Sequence, residues 1–294
     1  MGTYFKLLRI KIALAFFFPF VLGLSVAATA DTSISVPKAI SAIMSFFFAS
    51  FFSSTLNFYS DVEADRIFSG VFKDMDLKNQ PFVTGDMSRN ETIAAFSVSL
   101  ILALTLSLLA GLKVLIYISC FIFVVGFLYS HPKIKLKGRP LTDILCNILG
   151  MGLSLFAGLS IGRANHPSVV YLIWGALFVA IVYIPTVVND VPFDQAAGFK
   201  TSGVVFGAER LLVSMIPLTL IMSLLAVVVF LDDSLVWQFR LTCLALTPLT
   251  ILGVIVIFFS WKPPRINLNP DIVLVPMYFA DAFFLAFSFY KIIS

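Results

Sequence analysis

Two pairs of aspartates, each spaced four residues apart, are the residues of this sequence best suited to chemistry. Asp61 and Asp65 form the first pair, and Asp190 and Asp194 form the second. On a helix this spacing places both carboxylates on one face, and Asn57 lies one turn before the first pair. Oxygen ligands with few carboxylates per ion favour Mg²⁺ that is shared with a phosphate group. The alternative is that both pairs are solvated helix ends.

The predicted position of the aspartates argues against that alternative. Each pair is predicted to close an apolar helix at its C-terminal end, where the helix macrodipole is negative. A carboxylate there is destabilised by about 0.3–1 kcal/mol, and a like charge four residues away adds a similar cost. Partial burial near a membrane increases that cost. Two such pairs on one side of a helical bundle therefore predict a bound cation among them.

Basic residues follow each acidic pair along the chain. Lys78 follows the first pair and Lys200 follows the second. Lys133 and Lys137 lie in the basic segment 130–139. Lysines beside metal-binding carboxylates suit a metal–diphosphate ligand, because the metal and the ammonium groups neutralise the phosphates together. For most lysines of the 130–139 segment, the alternative is that they only set the orientation of the protein in a membrane.

An aromatic side chain is predicted beneath the second acidic pair. Tyr183 lies seven residues before Asp190, two helical turns away on the same face. A ring at this position could stabilise a carbocation, although packing is the commoner role of such a tyrosine. The sequence contains no Gly-rich nucleotide loop, no zinc-binding helix motif and no serine-nucleophile elbow.

The elements that must position these residues are membrane helices. Of the 294 residues, 60% are hydrophobic and only 12% are charged, and the mean hydropathy is +1.01. A soluble domain carries about 25% charged residues, so the composition excludes a water-soluble globular protein. The same hydrophobicity excludes a disordered chain. The three cysteines lie in apolar stretches and are predicted to be core residues rather than metal ligands.

Apolar stretches long enough to cross a bilayer predict nine transmembrane helices. We therefore predict an all-α membrane protein that forms a single polytopic domain over residues 1–294. Its cytoplasmic cap loops are predicted at about 61–91, 130–140 and 190–207. The nine stretches cover about 12–29, 38–60, 92–109, 112–129, 141–162, 168–189, 208–231, 239–260 and 270–290.

The distribution of basic residues predicts the orientation. Of the 20 Lys and Arg residues, 15 fall on the side that holds the N-terminus and the longer loops. The positive-inside rule places that side in the cytoplasm and the C-terminus outside. The net charge of +4 reflects this distribution and predicts contact with the lipid bilayer rather than with nucleic acid. The first apolar stretch exceeds the length of a usual signal-peptide core, so we expect it to remain as a helix.

Together these motifs resemble those of the UbiA superfamily of intramembrane prenyltransferases. The resemblance covers nearly the whole chain and extends to the nine helices and the cytoplasmic position of the motifs. The matching segments are Asn57-x-x-x-Asp61-x-x-x-Asp65, Asn189-Asp190-x-x-x-Asp194, Gly198-Phe199-Lys200-Thr201, Gln80-Pro81-Phe82-Val83-Thr84-Gly85, Tyr129-Ser130-His131-Pro132 and Leu136-Lys137.

The resemblance implies an enzyme that ionises an isoprenyl diphosphate and transfers the prenyl group to a lipophilic acceptor. It also implies a central cavity that opens to the cytoplasmic side. The implied catalytic residues are Asp61, Asp65, Asp190 and Asp194, and the implied Mg²⁺ ligands are these four aspartates together with Asn57. The candidate substrate-binding residues are Lys78, Tyr129, Lys133, Lys137, Tyr183 and Lys200.

Three functions remain open at this stage. The acceptor of a prenyltransferase would be either an aromatic quinone precursor or a lipid. In a terpene cyclase of the same superfamily, a double bond of the substrate itself would capture the cation. In an ion-coupled transporter, the carboxylates would bind the coupling ion. The aspartates are predicted at helix ends rather than at broken helices in the middle of the membrane, which argues against a transporter.

Overall fold

The computed structural model describes residues 10–71, 81–163, 167–260 and 271–294. All regular structure within these residues is helical, which confirms the predicted all-α class. A 3₁₀ turn spans Leu136–Gly138. The helices, in chain order, are α1 (Ile10–Ala30), α2 (Val36–Val71), α3 (Pro81–Thr84), α4 (Arg89–Ala110), α5 (Leu112–Phe121, continued by a π-helical segment, Ile122–Leu128), α6 (Thr142–Leu159), α7 (Val169–Ala196), α8 (Ser202–Phe206), α9 (Ala208–Leu231), α10 (Trp237–Ser260) and α11 (Asp271–Ile293).

Seven helices of the described residues are long and apolar enough to cross a membrane. They are α1, α2, α4, α6, α7, α9 and α10. The fourth predicted span corresponds to α5 with its π-helical continuation, which is apolar but shorter than the other seven. The ninth corresponds to α11, whose side chains are described from Met277 onward. The protein is therefore a multi-pass membrane protein, and the count of nine spans stays a prediction.

Helix α1 connects two hydrophobic cores. Its residues Val21 and Leu22 belong to a core that includes residues of α6, α7, α9, α10 and α11. Its residues Phe16 and Phe20 belong to a second core that includes residues of α2, α4 and α5. The first aspartate pair lies on α2 and the second lies on α7, so the two pairs belong to different halves of the helical packing.

Glycines allow α1 and α6 to approach closely. A Cβ atom added at Gly158 would collide with the carbonyl oxygen of Phe20, and one added at Gly23 would collide with the carbonyl oxygen of Leu155. Close backbone approach through small residues is typical of membrane helix pairs. The hydroxyl of Ser154 donates a hydrogen bond of 2.6 Å to the carbonyl oxygen of Phe16 across the same interface.

The first aspartate pair lies inside a helix rather than at its end. Helix α2 was predicted to end near residue 60, but it continues to Val71. No Pro or Gly interrupts the chain between Lys38 and Ser69, and the buried Ala64 packs the extension against the protein. The first pair therefore lies before the negative end of the helix rather than at it, which corrects the predicted position, and part of the predicted cap loop 61–91 is helical.

The second pair does lie in the last turns of its helix. Helix α7 was predicted to end at residue 189, but it continues to Ala196 and contains Pro185 and Pro192. Proline has no N–H group, so Pro192 cannot donate to the carbonyl oxygen of Val188 as a normal helical residue would. The helix continues nevertheless, and α8 occupies much of the rest of the predicted loop 190–207.

Candidate active site

The carboxylate of Asp61 is bound by lysines from the loop between α5 and α6. The Lys137 ammonium group lies 2.6 Å from Oδ2 of Asp61 and donates a 3.0 Å hydrogen bond to the hydroxyl of Ser60. The Lys135 ammonium group lies 3.8 Å from Oδ1 of the same carboxylate. The side chain of Asp61 is 23% exposed and that of Lys137 is 10% exposed, so this ion pair is largely shielded from solvent.

The backbone of that loop is shaped to direct both lysines inward. Lys135 adopts a left-handed conformation with φ of 43°, which is uncommon for a residue other than glycine. The 3₁₀ turn at Leu136–Gly138 follows and carries Lys137. The Lys135 ammonium group also lies 4.2 Å from the centre of the Phe199 ring, a cation–π contact with the segment that follows α7.

Two tyrosines meet beneath the aspartates. The hydroxyl groups of Tyr129 and Tyr183 are 2.8 Å apart and share a hydrogen bond between the end of α5 and α7. Next to Tyr129, the buried Ser130 accepts a 3.3 Å hydrogen bond from the side-chain amide of Asn57 on α2. Tyr129 and Ser130 directly follow the π-helical segment, and such segments are frequent at functional sites. These residues bring α2, α5 and α7 together at one end of the bundle.

The second aspartate pair lies in the same electrostatic environment as the first. Oδ2 of Asp194 accepts a 2.7 Å hydrogen bond from the hydroxyl of Thr201. The negative charge of Asp61 and the positive charge of Lys137 both act on the Asp194 carboxylate. Asp190 is exposed, and its charge acts on the hydroxyl of the partly buried Tyr183. Charges from both pairs and from Lys137 therefore act within one site.

A further carboxylate, which the sequence analysis did not select, lies beside this site. Asp143 is 2% exposed, and it accepts hydrogen bonds from the backbone N–H and the hydroxyl of Ser202 at 2.8 and 2.6 Å. Its charge also acts on Asp194. An acidic residue in the first turn of a helix is a common stabilising feature, so the sequence position of Asp143 does not by itself indicate a site residue. The sequence feature that sets Asp143 apart is its isolation, because no other acidic residue lies between Glu91 and Asp190.

The structure brings most of the predicted site residues together. Asn57, Asp61, Asp194, Tyr129, Tyr183 and Lys137 make the contacts described above. Asp65 lies one turn beyond Asp61 on α2 and is partly buried. Lys133 and Lys200 are exposed. Lys78 lies outside the described residues. Lys135, which was not selected from its basic segment, contacts the first pair directly.

The donor atoms at this site fit a hard divalent cation. They are carboxylate and amide oxygens, which Mg²⁺ prefers, and a lysine ammonium group already balances the charge of Asp61. Within the described ranges, no three His, Cys, Asp or Glu side chains are close enough to enclose an ion by themselves.

Helices of membrane-spanning length that gather aspartates, lysines and tyrosines at one end of the bundle define a multi-pass membrane protein with one polar site. Comparison with known proteins identifies the family. The model of the UbiA prenyltransferase family matches residues 16–269, and the chain belongs to this family. The predicted resemblance and the predicted enzyme class, a prenyltransferase, are confirmed.

Solved structures of related proteins support the family assignment. A UbiA homolog from Archaeoglobus fulgidus bound to GPP and Mg²⁺ is 31% identical and superimposes with a TM-score of 0.87, over 99% of this chain and 100% of that one. The same homolog bound to DMAPP and Mg²⁺ is 32% identical with a TM-score of 0.86, over 99% of both chains. A UbiA homolog from Aeropyrum pernix K1, at 16% identity, shares the fold with a TM-score of 0.73, over 95% of this chain and 98% of that one.

One curated relative is similar over a shorter stretch. The lycopene elongase/hydratase of Halobacterium salinarum is 30% identical over 92 residues. This alignment covers 31% of the chain and 32% of that relative, about a third of each protein.

Proposed function

We propose that this protein is a Mg²⁺-dependent intramembrane prenyltransferase that acts on an isoprenyl diphosphate and a lipophilic acceptor. The observation that carries the proposal is the juxtaposition of Asp61, Lys137 and Asp194, which come from separate segments and act on one another. The related Archaeoglobus structures, which hold GPP or DMAPP together with Mg²⁺, support this choice of ligand.

The aspartates and Asn57 would hold the metal. Bound Mg²⁺ would neutralise the diphosphate and thereby make it a better leaving group. The protein supplies these ligands from two helices, and the Asn57–Ser130 hydrogen bond orients the amide. The proposed metal-binding residues are Asn57, Asp61, Asp65, Asp190 and Asp194.

The lysines would bind the diphosphate oxygens. Lys137 is bound to Asp61 in the described structure, and Lys135 lies beside the same carboxylate. If Asp61 held a divalent cation, the ammonium group of Lys137 would be available to bind a phosphate oxygen of the substrate. The exposed Lys133 and Lys200, together with Lys78, would add positive charge around the diphosphate.

The tyrosines would face the reacting carbon. Heterolysis of the allylic C–O bond leaves the electron pair on the diphosphate and a cation on the prenyl group. The rings of Tyr129 and Tyr183 present electron-rich faces to such a cation. The electron pair of an acceptor double bond or hydroxyl would then form the new bond to the prenyl carbon, and the acceptor would lose its proton to the released diphosphate. The buried apolar core beneath the tyrosines excludes water from this step.

The whole chain would act as one unit in the membrane. We propose nine spans and a single domain over residues 1–294, with the aspartate site open to the cytoplasm and the C-terminus outside. The excess of Lys and Arg on the N-terminal side supports this orientation. The acceptor is proposed to be an apolar isoprenoid or another lipid, and the similarity to a lycopene elongase/hydratase supports an isoprenoid.

Product analysis tests the proposal against the cyclase alternative. Purified protein in lipid nanodiscs is incubated with Mg²⁺ and radiolabelled geranyl or dimethylallyl diphosphate, with and without lycopene or a membrane lipid extract. We expect a prenylated lipid only when an acceptor is present. If a cyclic hydrocarbon forms without an acceptor, the protein is a cyclase rather than a transferase. If no diphosphate is released with any acceptor, both functions are contradicted.

A further inference from the structure

A buried carboxylate, Asp143, connects two segments that each carry part of the proposed site. It lies in the first turn of α6 and accepts hydrogen bonds from the backbone N–H of Ser202 at 2.8 Å and from its hydroxyl at 2.6 Å. The backbone N–H of Ile144 donates a third hydrogen bond of 2.9 Å. A carboxylate that is 2% exposed needs such donors, because an unpaired buried charge is strongly destabilising.

The same serine also holds the end of the lysine loop, which we define as residues 130–140. The hydroxyl of Ser202 accepts a 2.8 Å hydrogen bond from the backbone N–H of Leu141, the residue that follows this loop. Leu141 has a φ of 66°, a conformation that is uncommon for leucine and needs support from its surroundings. Asp143, Ser202 and Leu141 therefore form one hydrogen-bonded connection.

Further contacts join the lysine loop to residues 198–206, which we define as the α8 segment. The backbone N–H of Lys200 donates a 3.2 Å hydrogen bond to the carbonyl oxygen of Gly138. The Lys135 ammonium group lies over the ring of Phe199. These contacts are near the surface, whereas Ser202 is fully buried. The Asp143–Ser202 pair is thus the buried part of the contact between the two segments.

Each connected segment holds one functional group of the site. On the lysine loop, Lys137 binds Asp61 of the first pair. On the α8 segment, Thr201 precedes Ser202 and binds Asp194 of the second pair. A movement of Ser202 would therefore shift the partner of Asp194, and a movement of Leu141 would shift the loop that carries Lys137.

The α8 segment is also packed tightly against the helix of the second pair. A Cβ atom added at Gly203 would lie 2.8 Å from the carbonyl oxygen of Val187 and 2.6 Å from a methyl group of Val191. These two residues flank Asp190 on α7. The position of Ser202 is therefore fixed relative to α7 as well as to the lysine loop.

We propose that Asp143 and Ser202 are positioning residues that lock the lysine loop onto the α8 segment and thereby set the geometry of the metal–diphosphate site. The inference rests on the proposed function. Neither residue contacts the substrate, and both act through Lys137 and Asp194. Residues that orient metal ligands from behind typically change metal affinity by about tenfold to a hundredfold when they are substituted.

Binding of Mg²⁺ and inorganic pyrophosphate tests this inference without relying on turnover. Isothermal titration calorimetry is performed on full-length wild type, Asp143→Asn, Ser202→Ala, the double variant and Ser154→Ala. Ser154 is a matched control, because it is a buried serine on the same helix whose hydroxyl bonds to another helix away from the site. Thermal unfolding of each variant is measured in parallel.

We expect Asp143→Asn and Ser202→Ala to weaken binding by about tenfold or more. The double variant should bind with the same affinity as the single variant that binds less tightly, because both substitutions remove the same connection. Ser154→Ala should bind as wild type does, whatever its loss of thermal stability. In turnover assays with geranyl diphosphate, the KM and the Mg²⁺ requirement should rise more than kcat falls.

Two results would overturn the inference. If wild type binds Mg²⁺ and pyrophosphate and both single variants bind equally well, Asp143 and Ser202 do not position the site. If the loss of affinity is proportional to the loss of thermal stability in every variant, including Ser154→Ala, then Asp143 and Ser202 have only a structural role. Should wild type itself not bind Mg²⁺ and pyrophosphate, the proposed function fails first.

Discussion

The ammonium group of Lys137 contacts the Asp61 carboxylate, which we propose as a metal ligand. The Lys137 ammonium group lies 2.6 Å from Asp61, and the pair is largely shielded from solvent. Breaking a shielded ion pair without replacement is costly, so Asp61 would need another cation if Lys137 bound a phosphate. We interpret the Asp61–Lys137 pair as the ligand-free arrangement, in which each side chain balances the charge that Mg²⁺ and diphosphate would balance when bound.

Substitution of Asp61 tests the role of the first pair. Asp61→Asn should lower kcat by about a hundredfold or more, because a neutral amide is a weaker metal ligand and removes the negative charge that Lys137 contacts. Turnover of radiolabelled geranyl diphosphate measures the effect. Glu63→Gln is the control, because Glu63 is exposed and lies between the two aspartates on the same helix. Equal activity of both variants would remove Asp61 from the site.

Substitution of Lys137 tests the role of the lysine loop. Lys137→Met should lower kcat/KM for the diphosphate by about ten- to a hundredfold, the effect of losing one charged hydrogen bond of about 1.5–3 kcal/mol. The exposed Arg139 of the same loop provides the control variant, Arg139→Gln. If both variants show the same small loss, the loop contributes only general positive charge.

The sequence pointed to side chains that the structure brings together, but it did not point to the buried residues behind them. The aspartates, Lys137 and Tyr183 follow from charge and helical spacing, which are local properties. Asp143 and Ser202 lie 59 positions apart, and nothing in either local sequence indicates that they meet. The choice of Lys135 over Lys133 as the inward lysine depends on a left-handed backbone conformation at Lys135 that the sequence alone does not specify.

At the scale of elements, glycines pack α1 closely against α6. Gly158→Ala should destabilise the protein by about 1–3 kcal/mol, because the added methyl group would collide with the backbone of α1 at Phe20 and Leu24. Gly152→Ala on the same helix is the matched control, since its Cβ would meet no atom within 4 Å. Thermal unfolding in one detergent measures both. An unchanged melting temperature for Gly158→Ala would contradict the close packing.

The positions of the helices were predictable from hydropathy, but several of their ends were not. Apolar runs mark the spans because the bilayer core excludes polar side chains. At the aqueous ends that constraint is lost, and hydrogen bonding decides. Helix α2 therefore continues through Asp61 and Asp65, and α7 continues past Pro192. The π-helical segment before Tyr129 likewise depends on packing against α2 and α6 rather than on composition.

At the scale of the whole molecule, the proposed orientation is open to a direct test. Cysteines are introduced at Arg139 and at Asp233 in a chain whose three cysteines are replaced by alanine. In intact spheroplasts, a membrane-impermeant maleimide should label the cysteine at position 233 but not the one at 139, which should react only after lysis. Labelling of position 139 in intact cells would reverse the orientation and place the aspartate site outside.

Metal-dependent release of diphosphate tests the central claim most directly. The claim is that both aspartate pairs bind one divalent metal–diphosphate ligand between the two halves of the bundle. Purified protein with geranyl diphosphate and an acceptor lipid should release pyrophosphate with Mg²⁺, stop with EDTA and recover when Mg²⁺ is restored. The variants Asp61→Asn and Asp194→Asn should each abolish release. Equal release in EDTA, or normal release by either variant, would contradict the account.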